Sequence, residues 1–356
     1  MLRIASIFFA IALCVLPARA DDIAGFDEIV SATIEDFVVP RSARLAEAAV
    51  AGEAAPARLC AAPSEETLGA ARAAFADPVL AHAAVEVVRF GPVLSDNRLE
   101  RLNFWPDRKG LGLRQVERTI AAGETPPVDE LRARSVALQG LGALEFVLFG
   151  DGAATLAGAD GKARCAFGHA IAGALRTTAA EVLADWRAPD GHAGLMRNPG
   201  PDNPLYRTET EVMQALIRAT TEELQLLADT KIRATIGENP EAARPKRAPF
   251  WRSGLTLGVF SENAASVGAL FATGRMALAL DKSDSAMPNE IAFDIRQAVE
   301  AFGRAEGPIE TVVADPDGHA LVLFTTIPLD DAAAIIGGRY GPEIGATPGF
   351  NSLDGD

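Results

Sequence analysis

The centre of the predicted fold is the stretch Ser135-Val-Ala-Leu-Gln-Gly-Leu-Gly-Ala-Leu-Glu-Phe-Val-Leu-Phe-Gly150, a mostly apolar helix that carries one acid, Glu145. A helix that is apolar around most of its circumference is buried, and a buried carboxylate needs a partner or loses its charge through a shifted pKa. Gly140 and Gly142 each cost about 1 kcal/mol relative to alanine inside a helix, so we expect another group to approach the backbone there. These three residues form a candidate site. The alternative is a tightly packed central helix in which Glu145 pairs with an arginine.

The motif Gly140-Leu-Gly-Ala-Leu-Glu145 resembles the G-x-H-x-x-E signature of imelysin-like proteins, with Gly142 at the position of the family histidine. Members of that family are helical proteins of the periplasm or cell surface, are classified among the metallopeptidases and are associated with iron-related uptake. The resemblance therefore implies an all-α fold of two packed helical bundles. Further similar stretches are Leu59-Cys-Ala-Ala-Pro63, Arg89-Phe-Gly-Pro92, Phe104-Trp-Pro-Asp-Arg108, Gly112-Leu-Arg-Gln115, Arg247-Ala-Pro-Phe-Trp-Arg-Ser-Gly254 and Gly349-Phe-Asn-Ser-Leu-Asp-Gly-Asp356.

Residues 1–20 have the pattern of a secretory signal peptide. Arg3 precedes the apolar run Ile4–Leu16, and Ala18-Arg-Ala20 forms an A-x-A cleavage site before Asp21. The run is too short to cross a bilayer, which takes about 20 apolar residues. We therefore predict export to the periplasm with cleavage after Ala20. The alternative is a lipoprotein signal at Cys14.

The remaining sequence predicts no transmembrane segment after cleavage, because no later run looks long and apolar enough.

The charge excludes one class of partner. The formal net charge is −15 and signal removal makes it two charges more negative, whereas nucleic-acid binding needs clustered Lys and Arg. We expect a small ligand, a metal ion or other envelope proteins as partners, and no nucleic acid.

Two cysteines remain after signal removal, Cys60 and Cys165. An even pair in an exported protein predicts a disulfide. The alternative is two buried free thiols.

Turn residues divide the chain into two predicted helical bundles, residues 21–190, which contain the motif helix, and residues 200–356. The boundary is the segment Pro189–Pro204, which is dense in Pro, Gly, Asp and Asn. The motif helix is predicted to run from Val128 to Phe149, and Asp77-Pro78 is predicted to begin a new helix. Residues 311–327 could form a hairpin or helices, and the family resemblance favours helices.

Two acids are tentative metal ligands, Glu145 and Glu86. Glu86 lies among valines and shares a helix face with His82, four residues earlier. We expect Glu86 and Arg89 to face Glu145. For His82 we expect an ordinary local contact within its helix. Carboxylates alone would suit a hard cation such as Ca²⁺ or Fe³⁺.

The turn-rich loop 91–112 supplies further candidates. Trp105, Arg108 and, just beyond it, Arg114 could line a pocket for an anion or a carboxylate, since Arg forms planar bidentate pairs. The alternative is that they anchor the loop and neutralise Glu145 or Glu86. Ser253 is a weaker candidate from the second bundle.

Three functions follow from these observations. The first is a periplasmic protein that binds a metal ion or small ligand where the two bundles meet, since ligand sites favour domain interfaces. The second is an interaction or structural module of the cell envelope, in which Glu145 is half of a buried ion pair. The third is a metallopeptidase, which the family classification implies. The sequence offers no H-E-x-x-H ligand set, and Gly142 replaces the family histidine, so binding ranks first.

Overall fold

The computed structural model describes residues 23–347, and within that range the chain is helical and contains no strand. The all-α prediction is confirmed. The described range leaves out the predicted signal peptide with Asp21 and Asp22, and it leaves out Pro348 with the stretch Gly349–Asp356.

Seventeen α-helices lie within residues 23–347. In chain order they are α1 Phe26–Ala32, α2 Val39–Ala61, α3 Glu65–Ala83, α4 Arg98–Leu102, α5 Leu111–Ala121, α6 Val128–Ala133, α7 Gly140–Phe149, α8 Lys162–Arg187, α9 His192–Arg197, α10 Glu209–Gln225, α11 Ala234–Ile236, α12 Thr256–Thr273, α13 Met287–Arg304, α14 Ile309–Ala314, α15 Pro316–Phe324, α16 Thr326–Ile335 and α17 Gly341–Glu343. Wider π-helical segments at Thr33–Val38, Leu226–Arg233 and Ile336–Tyr340 continue α1, α10 and α16.

The buried apolar side chains form two clusters. The N-terminal cluster joins α2, α3, α7 and α8, with Leu59, Leu141 and Phe167 near its centre. The C-terminal cluster joins α10, α12, α13 and α16. It also takes in α1 through Ile29 and the π-helical segment that continues α1 through Phe37. The division of the chain near residues 190–200 stays a prediction.

Helices α2 and α8 are linked by a disulfide between Cys60 and Cys165, whose Cα atoms are 5.5 Å apart. The predicted bridge is therefore confirmed. It fastens two neighbouring helices of the N-terminal cluster, because Cys60 lies in the last turn of α2 and Cys165 in the first turn of α8.

The predicted start of a helix at Asp77-Pro78 is wrong, because α3 runs without interruption from Glu65 to Ala83. A proline inside a helix removes one backbone hydrogen bond and crowds the preceding turn. Here the ring of Pro78 is buried against Gly52 of α2, where an added Cβ would lie 3.2 Å from the Pro78 Cγ. Packing between the two helices thus accommodates the proline.

The predicted continuous helix from Val128 to Phe149 is also wrong. The chain forms the short α6, a 3₁₀ turn at Val136–Leu138 and then α7, which begins at Gly140. Gly140 has φ +76°, in the left-handed region that a glycine adopts at little cost. The break therefore falls at the first glycine of the motif.

The ambiguous segment 311–327 is helical, as the family resemblance implied. Asp315 begins α15 by accepting a hydrogen bond from the Gly318 backbone N–H at 2.8 Å, and Pro316 occupies the first turn. This arrangement is a helix N-terminus with a capping acid and a proline at its first position.

One described helical run, residues 316–343, is long and apolar enough to cross a membrane by length and composition, with a mean hydropathy of 1.6. The expectation that no such run exists is wrong by those two measures, while the absence of a transmembrane segment stays a prediction. A core helix passes the same test. Val322, Leu329 and Tyr340 on this run are fully buried, and its central helix packs against α10 and α13.

Candidate functional site

The start of α7 is held close to the end of α4. A Cβ at Gly140 would lie 2.5 Å from the Leu102 carbonyl oxygen and 2.6 Å from that of Arg101, so only glycine fits there without movement of the backbone. Gln139, which the sequence analysis did not single out, is buried beside it. Its amide accepts a hydrogen bond from Arg101 at 3.2 Å and donates one to the Leu131 carbonyl at 3.1 Å.

Gly142 is under a different constraint. Its added Cβ would meet only Asn103 Oδ1, at an ordinary 3.5 Å, and Gly142 lines a cavity. Space beside the backbone, rather than a neighbouring backbone, distinguishes this glycine from Gly140.

Glu145 lies one turn further along α7 and is only 4% exposed. Its Oε1 accepts two hydrogen bonds from Ser253, one from the backbone N–H at 2.9 Å and one from the hydroxyl at 2.8 Å. Burial raises the pKa of the Glu145 carboxyl, while the Ser253 donors and the charge of Arg252 act to lower it. The acid is thus held by neutral donors, and it forms no ion pair within the part of the chain that the structure describes.

A cavity of about 740 Å³ lies against this face of α7. We call it the α7 cavity. Its other walls come from residues 103–113, from the π-helical segment after α10, and from residues 246–252. Its size is in the range of small-molecule sites, about 300–1,000 Å³.

The two loops that form its walls are tied to each other. The indole N–H of Trp105 donates to the Arg247 carbonyl oxygen at 3.3 Å. On the second loop, the guanidinium of Arg252 lies over the ring of Trp251 at 4.4 Å and over that of Phe146 at 5.3 Å. Aromatic and cationic side chains therefore lie together on this side of the cavity.

Several of the predicted site residues come together here. Gly142, Glu145, Trp105 and Arg108 line the α7 cavity, and Ser253 holds Glu145. Arg114 does not line it, because its guanidinium donates to the Lys109 carbonyl at 2.8 Å and closes the loop before α5.

Glu86 and Arg89 are not brought to Glu145. Glu86 Oε2 lies 2.9 Å from the ammonium of Lys231, which also lies 3.4 Å from Glu223 Oε1 and donates to Asn263 Oδ1 at 2.7 Å. We call these four residues the buried ion cluster. Arg89 lies at its edge, 3.9 Å from Glu86.

The two acids of the buried ion cluster and the neighbouring His82 have shifted pKa values. Burial is the largest effect on Glu86 and acts to raise its pKa. The charge and hydrogen bond of Lys231, together with the charges of His82 and Arg89, outweigh it, and the pKa falls below its ordinary value. Burial raises the pKa of Glu223, whose second carboxylate oxygen has no hydrogen-bond partner. Burial also lowers the pKa of the neighbouring His82, which is the ordinary outcome for a core histidine.

The tentative pair of metal ligands, Glu145 and Glu86, therefore does not share one site in this arrangement. Among residues 23–347 there is no group of three or more His, Cys, Asp or Glu side chains that could hold a metal ion. A site of one carboxylate and neutral donors does not fit a bare cation, since Ca²⁺ takes six to eight oxygen ligands.

The residues that sequence reasoning missed are Lys246, Arg247, Trp251 and Arg252, all on the second loop of the cavity. Their signal was the basic and aromatic composition of this loop, of which the family resemblance marked Arg247–Gly254. Only their distance in sequence from Glu145 hid the connection.

The described chain has an all-α architecture with a cavity beside a buried acid. Within it, the imelysin family model matches residues 38–327, and this chain belongs to the imelysin family.

Two solved structures share the fold. An imelysin-like protein from Psychrobacter arcticum 273-4 is similar with a TM-score of 0.73 and 18% identity, over 93% of this chain and 99% of that chain. A candidate iron-regulated protein A precursor from Parabacteroides distasonis ATCC 8503 is similar with a TM-score of 0.73 and 15% identity, over 91% and 97%. No curated protein matches the chain in sequence.

Proposed function

We propose that this protein is an exported binding protein that takes a small ligand into the α7 cavity, with a role in iron-related uptake. The observation that carries the proposal is the position of Glu145, a buried acid without an ion-pair partner in the described chain, on the wall of a cavity of about 740 Å³. Buried polar groups that converge on a large, partly apolar cavity are the usual mark of a ligand site.

Export is supported by three observations. The first 20 residues have the pattern of a signal peptide. The disulfide between Cys60 and Cys165 is typical of proteins that fold in oxidising compartments. The structurally similar Parabacteroides protein is named as a precursor. The words iron-regulated in the name of that Parabacteroides protein support a link to iron.

Any metal that reaches this cavity would have to arrive with its own ligands. Glu145 is the tentative metal ligand at the cavity, and it already accepts two hydrogen bonds. The same geometry disfavours a metallopeptidase, which needs a set of metal ligands and a base on one face. It also differs from the interaction-module alternative, which required Glu145 to be half of a buried ion pair.

The proposal is tested with the exported protein, by native mass spectrometry of material purified from the periplasm and by calorimetric titration of the ligand found. Glu145→Gln keeps the shape of the side chain and an oxygen that can accept both Ser253 hydrogen bonds. We expect its free energy of unfolding to change by about 1 kcal/mol or less, while ligand affinity changes at least tenfold.

A second variant tests the cavity without touching the acid. Gly142→Leu places a side chain in the open space beside Gly142, so it should block a ligand of any charge. If Glu145→Gln lowers stability by several kcal/mol and both variants bind as the unaltered protein does, Glu145 is structural and the proposal is wrong.

A further inference from the structure

The acids on the wall of the α7 cavity are already occupied by donors of the protein. Asp107 accepts from the backbone N–H groups of Leu111 at 2.7 Å and Leu113 at 3.0 Å, which fixes the start of α5. Asp229 pairs with Arg233 at 2.5 Å. Glu145 accepts the two hydrogen bonds from Ser253. These contacts hold the three carboxylates in place, and only Asp229 is paired with a cation.

The cations on the same wall have no such partners. Arg108, Lys246, Arg247 and Arg252 all line the cavity, and within residues 23–347 none of their side chains forms an ion pair or a hydrogen bond. Elsewhere in the described chain many arginines are paired, as Arg132 is with Glu181 at 2.6 Å and Arg176 with Glu53 at 2.6 Å. The cavity wall therefore carries four cations against three acids, and the side chain of Arg252 acts on Glu145 only through its charge, without an ion pair.

The aromatic rings hold part of this charge in place. Arg252 stacks on Trp251 and Phe146, and the ammonium of Lys246 lies 5.3 Å from the centre of the same Trp251 ring. A stacked guanidinium keeps its planar edge of N–H donors available for a carboxylate. Contact with two rings also restrains the guanidinium, which lowers the entropy lost when a ligand binds to it.

The negative net charge of the whole protein does not cancel this local effect. Charges are screened beyond about 8–10 Å at physiological ionic strength. Arg108, Lys246 and Arg247 are exposed and Arg252 is partly buried, but all four line the cavity, where they would contact a bound ligand directly. The overall charge of −15 would slow the approach of an anion but would act weakly on one already bound.

We propose that the α7 cavity binds a small organic molecule with two or more carboxylate groups, and that Arg252 and Lys246 pair with those groups. The inference rests on the proposed function, since it names the class of ligand for the same cavity. It also accounts for iron without protein ligands: a multivalent carboxylate binds a hard ferric ion through its own oxygens, and the cavity would receive the complex as an anion.

The test uses citrate as the carboxylate probe, ferric citrate as its metal complex and Ca²⁺ as a bare cation, each titrated into the mature, disulfide-bonded protein by calorimetry. We expect citrate or ferric citrate to bind, and Ca²⁺ not to bind. Arg252→Gln and Lys246→Gln should each weaken that binding about tenfold or more, because each removes one charge-assisted pair. Arg187→Gln, an exposed position on α8 outside the cavity, makes the same change in net charge and should bind as the unaltered protein does.

The outcomes separate this inference from the proposed function. Loss of binding in Gly142→Leu with unchanged binding in Arg252→Gln and Lys246→Gln would leave the cavity as the site and overturn the assignment of an anion. Binding of Ca²⁺ that Glu145→Gln abolishes, with no binding of either citrate probe, would overturn it in favour of a cation. Binding of citrate that Gly142→Leu does not affect would contradict both.

Discussion

Two glycines that stand two positions apart in α7 are required for different reasons, and substitution separates them. Gly140 has φ +76° and backbone oxygens within 2.6 Å of an added Cβ, so Gly140→Ala should destabilise the protein by about 2 kcal/mol or more. Gly142 has helical backbone and open space, so Gly142→Ala should be neutral or stabilising by up to about 1 kcal/mol. Urea unfolding of the two variants measures both. Equal destabilisation by the two changes would contradict this assignment.

Lys231 is a second residue whose environment makes a sharp prediction. It is 1% exposed and neutralises Glu86 while approaching Glu223. Lys231→Met should leave two buried carboxylates without their cation and lower the free energy of unfolding by about 3–5 kcal/mol.

The matched control replaces the whole set of charges. Glu86→Gln and Glu223→Gln, added to Lys231→Met, remove the stranded charges, and we expect most of the lost stability to return. If the triple variant is as unstable as Lys231→Met alone, loss of packing rather than charge explains the effect.

At the level of elements, the disulfide joins α2 to α8 across a sequence separation of 105 residues. Closing a loop of that length is worth about 4–5 kcal/mol in the chain-entropy description. Reduction should therefore lower the melting temperature by about 5–15 °C. Scanning calorimetry with and without reductant measures it, and a variant with Cys60→Ser and Cys165→Ser should not respond to reductant. An unchanged melting temperature of the unaltered protein after verified reduction would contradict the prediction.

The elements also show where local patterns fail. Pro78 and Gly140 are both helix-breaking signals. Helix α3 continues through Pro78, whereas the predicted motif helix is interrupted before Gly140. The first is accommodated by Gly52 on α2 and the second is imposed by the carbonyl groups that end α4. Neither neighbour is visible in the local sequence, because each is brought there by packing.

For the whole molecule, the segment between the predicted bundles is anchored by a group of rings. His192 lies 5.3 Å from Trp186 and 6.0 Å from Phe90, and its Nε2 lies 3.0 Å from the Tyr206 hydroxyl. Burial lowers the pKa of His192 to about 4, against about 6.5 for an unfolded chain.

This shift predicts the sign of a pH effect. Between pH 6.5 and 4 the unfolded state binds a proton at His192 and the folded state does not. The contribution of neutral His192 to the free energy of unfolding is therefore complete above pH 6.5 and is lost as the pH falls toward 4. Urea melts at pH 7, 5.5 and 4.5 measure the loss. His192→Gln should reduce the slope over that range, and an NMR titration that puts the pKa of His192 near 6.5 would contradict the argument.

The sequence by itself determined the helical class, the family, the pairing of its two cysteines beyond the signal and the unusual position of Glu145 on an apolar helix. These follow from periodicity, composition and short motifs, which are local properties of the chain. Trp105, Arg108 and Gly142 also lie at the cavity to which the turn-rich loop and the motif pointed.

Only the tertiary structure decided which partners those residues have. Ser253 reaches Glu145 across 108 positions of sequence, and Lys231 rather than Glu145 lies beside Glu86. The physical reason is that a buried charge accepts any donor that satisfies it, whether a serine hydroxyl, a backbone N–H or an ammonium group. The local sequence shows that a buried charge needs a partner, but the identity of that partner depends on how distant helices pack.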